Sequence, residues 1–90
     1  MSVAEEIASK LTRELSPQRL EVHDDSHRHA GHAGAPAGGE SHFRLEIVSS
    51  AFEGKGRIER QRMVHALLAT ELAQQIHALQ IRALTPVEDA

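Results

Sequence analysis

The chain contains no cysteine, no tryptophan and no tyrosine. Without thiols it can build neither a disulfide framework nor a self-contained thiolate metal site. Its only aromatic side chains besides histidine are Phe43 and Phe52. The core must therefore be aliphatic, and little is left for the base stacking that single-stranded nucleic-acid binders use. No apolar run approaches the roughly 20 residues of a membrane span, so no membrane role is expected. No secretory leader pattern is read at the N-terminus, which sets the expected location as a bacterial cytoplasm or, as the lesser alternative, an organelle matrix. A positive balance is missing too. The net charge is −3 with histidines neutral, so nothing draws the chain non-specifically to nucleic acid or anionic lipid. The charge is uneven, however: Lys55, Arg57, Arg60 and Arg62 hold four of the ten basic residues.

Ninety residues make one small domain, 1–90 as a single unit. A chain of this size buries only roughly 60–65% of its unfolded surface. Val3, Ile7, Leu11 and Leu15 recur every four residues and predict a helix over 3–15. Ser2 is placed to cap it, with Glu5 as the return half of a capping box, and Pro17 ends it. Leu20 and Val22 alternate with Glu21 and His23, predicting a strand over 19–24. Phe43, Leu45 and Ile47 alternate with polar neighbours, predicting a strand over 42–48. The two are expected to pair as an antiparallel hairpin. Between them lies a long flexible loop, 25–41, whose stretch 30–39 holds four Ala, four Gly, one Pro and one His. Loops this long are usually functional or disordered. Residues 49–56 read as a tight connection. A long helix follows over 57–75, with Val64, Leu67, Leu68 and Leu72 on one side. Leu79 and Ile81 mark a third strand over 77–83, and residues 85–90 read as a frayed tail. The order α-β-β-α-β implies an α+β fold, two layers with the helices on one face of a three-stranded sheet.

What the chain does have is histidine. Five of its seven lie between positions 23 and 42: His23, His27, His29, His32 and His42. Imidazole is the commonest metal-binding side chain. A histidine cluster on a loop, with no thiol in the chain, suggests a metal site completed by another molecule. The rival reading is a polar loop that happens to be rich in histidine. The spacings of His27, His29 and His32 suit zinc or copper, with Asp24 and Asp25 near, yet specify neither without a fixed backbone. An iron–sulfur cluster needs thiolates, with histidine replacing cysteine on one iron at most in the familiar mixed case. This chain has only the imidazole half to offer. His77, at the opening of the third strand, is either a rim ligand that shares a site with the loop or a residue favoured at the end of the preceding helix by its dipole.

Two other chemistries have candidate residues in the chain. Ser26 and Ser41 lie near histidines, but no Gly-x-Ser-x-Gly elbow is present, and no enzyme is expected. The basic segment Lys55, Arg57, Arg60 and Arg62 at a helix start has the composition of a phosphate-binding site. Glu53 and Glu59 dilute it, and a solvated helix face is the competing reading.

Several segments together resemble the BolA family. They are residues 20–29 (LEVHDDSHRH), 41–43 (SHF), 47–54 (IVSSAFEG), 60–64 (RQRMV) and 76–79 (IHAL). The resemblance runs from about residue 5 to 86. It implies an α-β-β-α-β fold similar to the class II KH domain. It further implies pairing with a monothiol glutaredoxin, the two proteins sharing a bridged 2Fe–2S cluster. Glutathione and the glutaredoxin cysteine would be the sulfur ligands. On this chain's side the implied ligands are His77 and a loop residue, in the histidine-loop subtype His29 or the adjacent His32. His42, in the Ser-His-Phe element, is structural or a third candidate, as is His27. Alone, the chain is expected to be a monomer or weak homodimer. The family is also described as DNA-binding regulators of morphology and stress response. That alternative would rest here on the Phe52–Gly54 turn and on Lys55, Arg57, Arg60 and Arg62. The long helix departs from the family's frequent Arg-His-Arg by reading Arg60-Gln61-Arg62.

Overall fold

The computed structural model describes residues 2–25 and 42–90. Helix α1 (Val3–Leu15) starts where Ser2 Oγ accepts the Glu5 amide at 3.1 Å. It buries Ile7, Leu11 and Leu15. It ends at Ser16, whose left-handed backbone (φ 44°) returns its amide to the Thr12 carbonyl, just ahead of Pro17. Strands β1 (Arg19–Asp24) and β2 (His42–Val48) form the expected antiparallel pair, with Leu20 opposite Ile47 and Val22 opposite Leu45. Their inward alternation turns the apolar set to the helices and leaves Glu21, His23, Arg44 and Glu46 on the other face. From residue 26 onward the expected flexible loop lies outside the described residues, and so does the expectation that 30–39 is mobile.

The tight connection is a 3-10 turn, Ser50–Phe52, with Phe52 fully buried. Ser49 anchors it: its buried hydroxyl donates to the Leu15 carbonyl at 2.6 Å and accepts the Ala51 amide at 3.1 Å. Gly54 takes a positive φ of 76°, which side-chain-bearing residues rarely adopt.

The long helix is divided. Helix α2 (Arg57–Leu67) and helix α3 (Ala69–Gln74) meet at Leu68, whose φ and ψ of −103° and 18° leave the helical region. Leu68 is fully buried, and Glu71 beyond it is buried with its side chain on Lys10 of α1. Strand β3 (Ala78–Leu84) begins one residue later than expected and lies parallel to β2, with Leu79 opposite Phe43 and Ile81 opposite Leu45. The sheet order is β1-β2-β3, so β2 is central and the core lies between its inward face and the helices. The result is the two-layer α+β domain.

The tail is not frayed. Residues 86–89 form a helical turn, α4 (Pro86–Asp89), closed by a capping box between Thr85 and Glu88. Proline at the first helical position is pre-set for the helix. Arg60 binds Glu88 at 2.6 Å, and Arg19 binds Asp89 at 2.7 Å. These two ion pairs fasten the segment to α2 and β1. Among the described residues no helix is long and apolar enough to cross a membrane.

Candidate metal centre

The parallel pairing of β2 with β3 brings two histidines from distant parts of the chain to one rim of the sheet. His42 opens β2 and is opposite Ala78, the first residue of β3. His77 is exposed in the bend just before it. The two imidazole rings lie 6.5 Å apart, centroid to centroid, tilted by 35°. The sequence marked both residues singly. Only the parallel register joins them.

His77 lies beyond the end of α3. The Gln75 and Ile76 amides both donate to the Glu71 carbonyl, at 2.8 and 2.9 Å. That carbonyl is thus taken by backbone, and His77 follows the closed turn at the rim of the sheet. Ile76 is buried in the core, so the chain is pinned on one side of His77 by an apolar anchor and on the other by the β2–β3 ladder.

The same rim holds the two anchors of the long connection. The Asp25 amide donates to the His42 carbonyl at 2.8 Å, so the chain leaves and re-enters the sheet beside His77's partner. Arg44 pairs with Asp25 at 3.2 Å. His27, His29 and His32 lie outside the described residues. Among the described residues, no three histidine or acidic side chains converge in a way that could hold a metal ion. Two imidazoles and no thiol fit the histidine half of a mixed-ligand cluster and leave the other ligands to come from elsewhere. His23 is engaged on the outer sheet face, its Nε2 3.0 Å from Glu21 Oε1. That contact and the adjacent Arg19 guanidinium lower the Glu21 pKa, the histidine being the larger cause.

The basic segment is divided in its roles. Arg60 is 13% exposed and committed internally. It donates to the carbonyls of Lys55 at 2.9 Å and Ala83 at 3.1 Å, and grips both Glu88 oxygens. Gln61 donates to the Ile81 carbonyl at 2.9 Å. Both side chains therefore cap the open edge of β3, a strand edge that would otherwise present unpaired carbonyls. Four of the five N–H donors of Arg60 are engaged within the fold, which counts against its meeting phosphate. Arg57 and Arg62 are exposed, and Lys55 is half-buried. Lys55, Arg57 and Arg60 line a cleft of about 620 Å³ with Arg82 and Glu88. The Arg60 hydrogen bonds, followed by the Thr85 amide, lower the Glu88 pKa to about 2.

Sequence reading missed Lys10 and Glu71, whose side chains meet at 3.0 Å. A signal was present. Glu71 lies three residues after Leu68, on the apolar stripe, where a carboxylate calls for a partner.

The family model of BolA-like protein matches residues 11–88. SufE-like protein 1, chloroplastic/mitochondrial, of Arabidopsis thaliana is 50% identical over 86 residues, which cover 91% of this chain and 23% of that protein. BolA-like protein 1 of Pongo abelii is 49% identical over 82 residues, covering 91% of this chain and 57% of that one. The chain thus spans about a quarter and somewhat over half of these two relatives' lengths. The solved structure of the BolA domain of SufE1 from Arabidopsis thaliana superimposes with a TM-score of 0.86 at 48% identity, over 98% of this chain and 96% of that one.

Proposed function

The chain belongs to the BolA-like family, and from that premise we propose that it is a non-catalytic partner of a monothiol glutaredoxin. Together they would share a glutathione-ligated 2Fe–2S cluster for iron–sulfur trafficking or iron regulation. The observation that carries this reading is the His42–His77 pair, with rings 6.5 Å apart at the rim where the histidine-rich connection is anchored. His77 is the first ligand on this side. The second imidazole comes from His29 or His32, with His42 within reach of the same rim and His27 the least needed. When bound, the cluster supplies iron that accepts nitrogen ligands from this chain and sulfur ligands from its partner. The chain's own residues orient the imidazoles and keep them at an exposed edge where a second protein can approach. The proposed location is the bacterial cytoplasm or an organelle matrix, the latter in keeping with the names of some relatives.

The test is anaerobic co-purification with a monothiol glutaredoxin and glutathione, read by visible absorption and circular dichroism. The expected result is a 2Fe–2S chromophore in the complex and none in the isolated chain. His77→Ala should alter the spectrum and speed cluster loss. A stable chromophore formed by the isolated chain without glutathione would refute the shared-site reading.

A second reading is DNA binding, as in a KH-like regulator. The cleft that Lys55 and Arg57 share with Arg82 favours it, while the engagement of Arg60 counts against it.

A further inference from the structure

Glu71 links the α1–α3 contact to the bend that carries His77. Its carboxylate is 7% exposed as a residue and takes the Lys10 ammonium on both oxygens at 3.0 Å. Its backbone carbonyl accepts the Gln75 and Ile76 amides. One residue thus holds α3 against α1 through its side chain and closes the turn before His77 through its main chain. The pair spans 61 positions of sequence, so it ties the start of the chain to the approach to β3. A carboxylate this buried is costly unless it is matched. An apolar residue at position 71 would extend the stripe of Val64 and Leu68 without that cost. A buried ion pair is weak ground for net stability, so the place of this one, directly before the His77 turn, is the more telling observation.

We propose that Lys10 and Glu71 are positioning residues for His77: their ion pair sets the end of α3, and with it the placement of the His77 imidazole relative to His42. This rests on the cluster-sharing role proposed above and adds to it a part of the chain that touches no ligand. The mechanism is mechanical. Between Glu71 and β3 lie only the closed turn, the buried Ile76 anchor and His77 itself. With its two flanks fixed, the imidazole keeps the same approach from one molecule to the next. When Glu71 loses its grip on α1, the turn retains its backbone bonds, and its direction relative to the sheet rests on the Ile76 anchor and the start of the β2–β3 ladder alone.

The experiment has two arms. In the first, the isolated full chain is followed by nuclear magnetic resonance. Glu71→Gln and Lys10→Met should shift the His77 ring signals and weaken the through-space contact between the His42 and His77 rings. Lys10→Arg should restore both. In the second arm, the complex with monothiol glutaredoxin and glutathione is prepared with each variant. Glu71→Gln should shorten cluster lifetime by at least threefold relative to Ile47→Val, a core change nearer the other end of the sheet, compared at temperatures equally far below each variant's melting point. In a His77→Ala background, Glu71→Gln should have no further effect on that lifetime.

Equal lifetimes in Glu71→Gln and the control would overturn the proposal, as would additive losses with His77→Ala. Should the wild-type chain form no shared cluster, the proposed function fails by itself. The first arm still decides the positioning role, and unchanged His77 ring signals in both Glu71→Gln and Lys10→Met would refute it.

Discussion

Replacing Arg60 by alanine removes three things at once: a donor to the Lys55 carbonyl, a donor to the Ala83 carbonyl, and the cation that holds Glu88. The two carbonyl bonds are shielded, since the side chain is 13% exposed, and each contributes about 1 kcal/mol net. The Glu88 side chain is 44% exposed, so solvent screens that pair and the carbonyl bonds dominate. Their sum is about 2 kcal/mol. For a domain of this length, each kcal/mol moves the thermal midpoint by about 4–8 °C, so Arg60→Ala should melt roughly 8–16 °C lower. Arg57→Ala and Arg62→Ala, at exposed positions on the same helix, should stay within about 0.5 kcal/mol of wild type. Thermal and urea denaturation followed by far-ultraviolet circular dichroism measure all three. An Arg60→Ala midpoint within a few degrees of the two controls would refute the assignment of Arg60 to the fold and return it to the set of residues free to meet phosphate.

Two further outcomes can be checked independently. With Arg60 committed to the fold, only Lys55, Arg57 and Arg62 of the original four remain to neutralise DNA phosphates. In an Arg82→Ala variant, which removes the other exposed cation of the same cleft, the slope of log K against log salt for duplex DNA should then be about −2.7 rather than about −3.6; a steeper slope by filter binding or fluorescence anisotropy would mean that Arg60 does reach the nucleic acid. The C-terminal turn should be acid-resistant. The Arg60 hydrogen bonds hold the folded Glu88 carboxyl at about 2, below its ordinary 4.5, so its stabilising effect is complete above about 4.5 and is lost as pH falls through about 2. The Thr85 amide, which donates to Glu88 Oε1 at 2.8 Å, should therefore keep its native resonance position at pH 4 and move only nearer pH 2, and a shift centred near 4.5 would contradict the Arg60–Glu88 pairing.

Strand bounds at 19–24 and 42–48 were readable because a half-buried sheet imposes a two-residue alternation that local sequence carries in full. Helix α1 was readable for the same kind of reason, with its stripe, its Ser2 cap and the Pro17 stop all local. Strand β3 came within one residue. The division at Leu68 was not readable, because a continuous apolar stripe fits one straight helix as well as two segments that turn about a buried leucine. Nor was the ordered tail. Thr85, Pro86 and Glu88 carry a local capping pattern, but its persistence depends on Arg60 and Arg19 reaching it from other elements.

The sequence by itself determined which residues face inward, where the strands run, and that the chain brings imidazoles without thiols to any metal chemistry. Those properties follow from side-chain type and from short-range periodicity. Only the tertiary structure decided that β3 lies parallel to β2, which places His77 beside His42. It also decided that Lys10 meets Glu71 and that Arg60 turns from a surface cation into an edge clamp. Such contacts join residues tens of positions apart. They are set by how the helices pack across one face of the sheet, a long-range condition that no local pattern encodes.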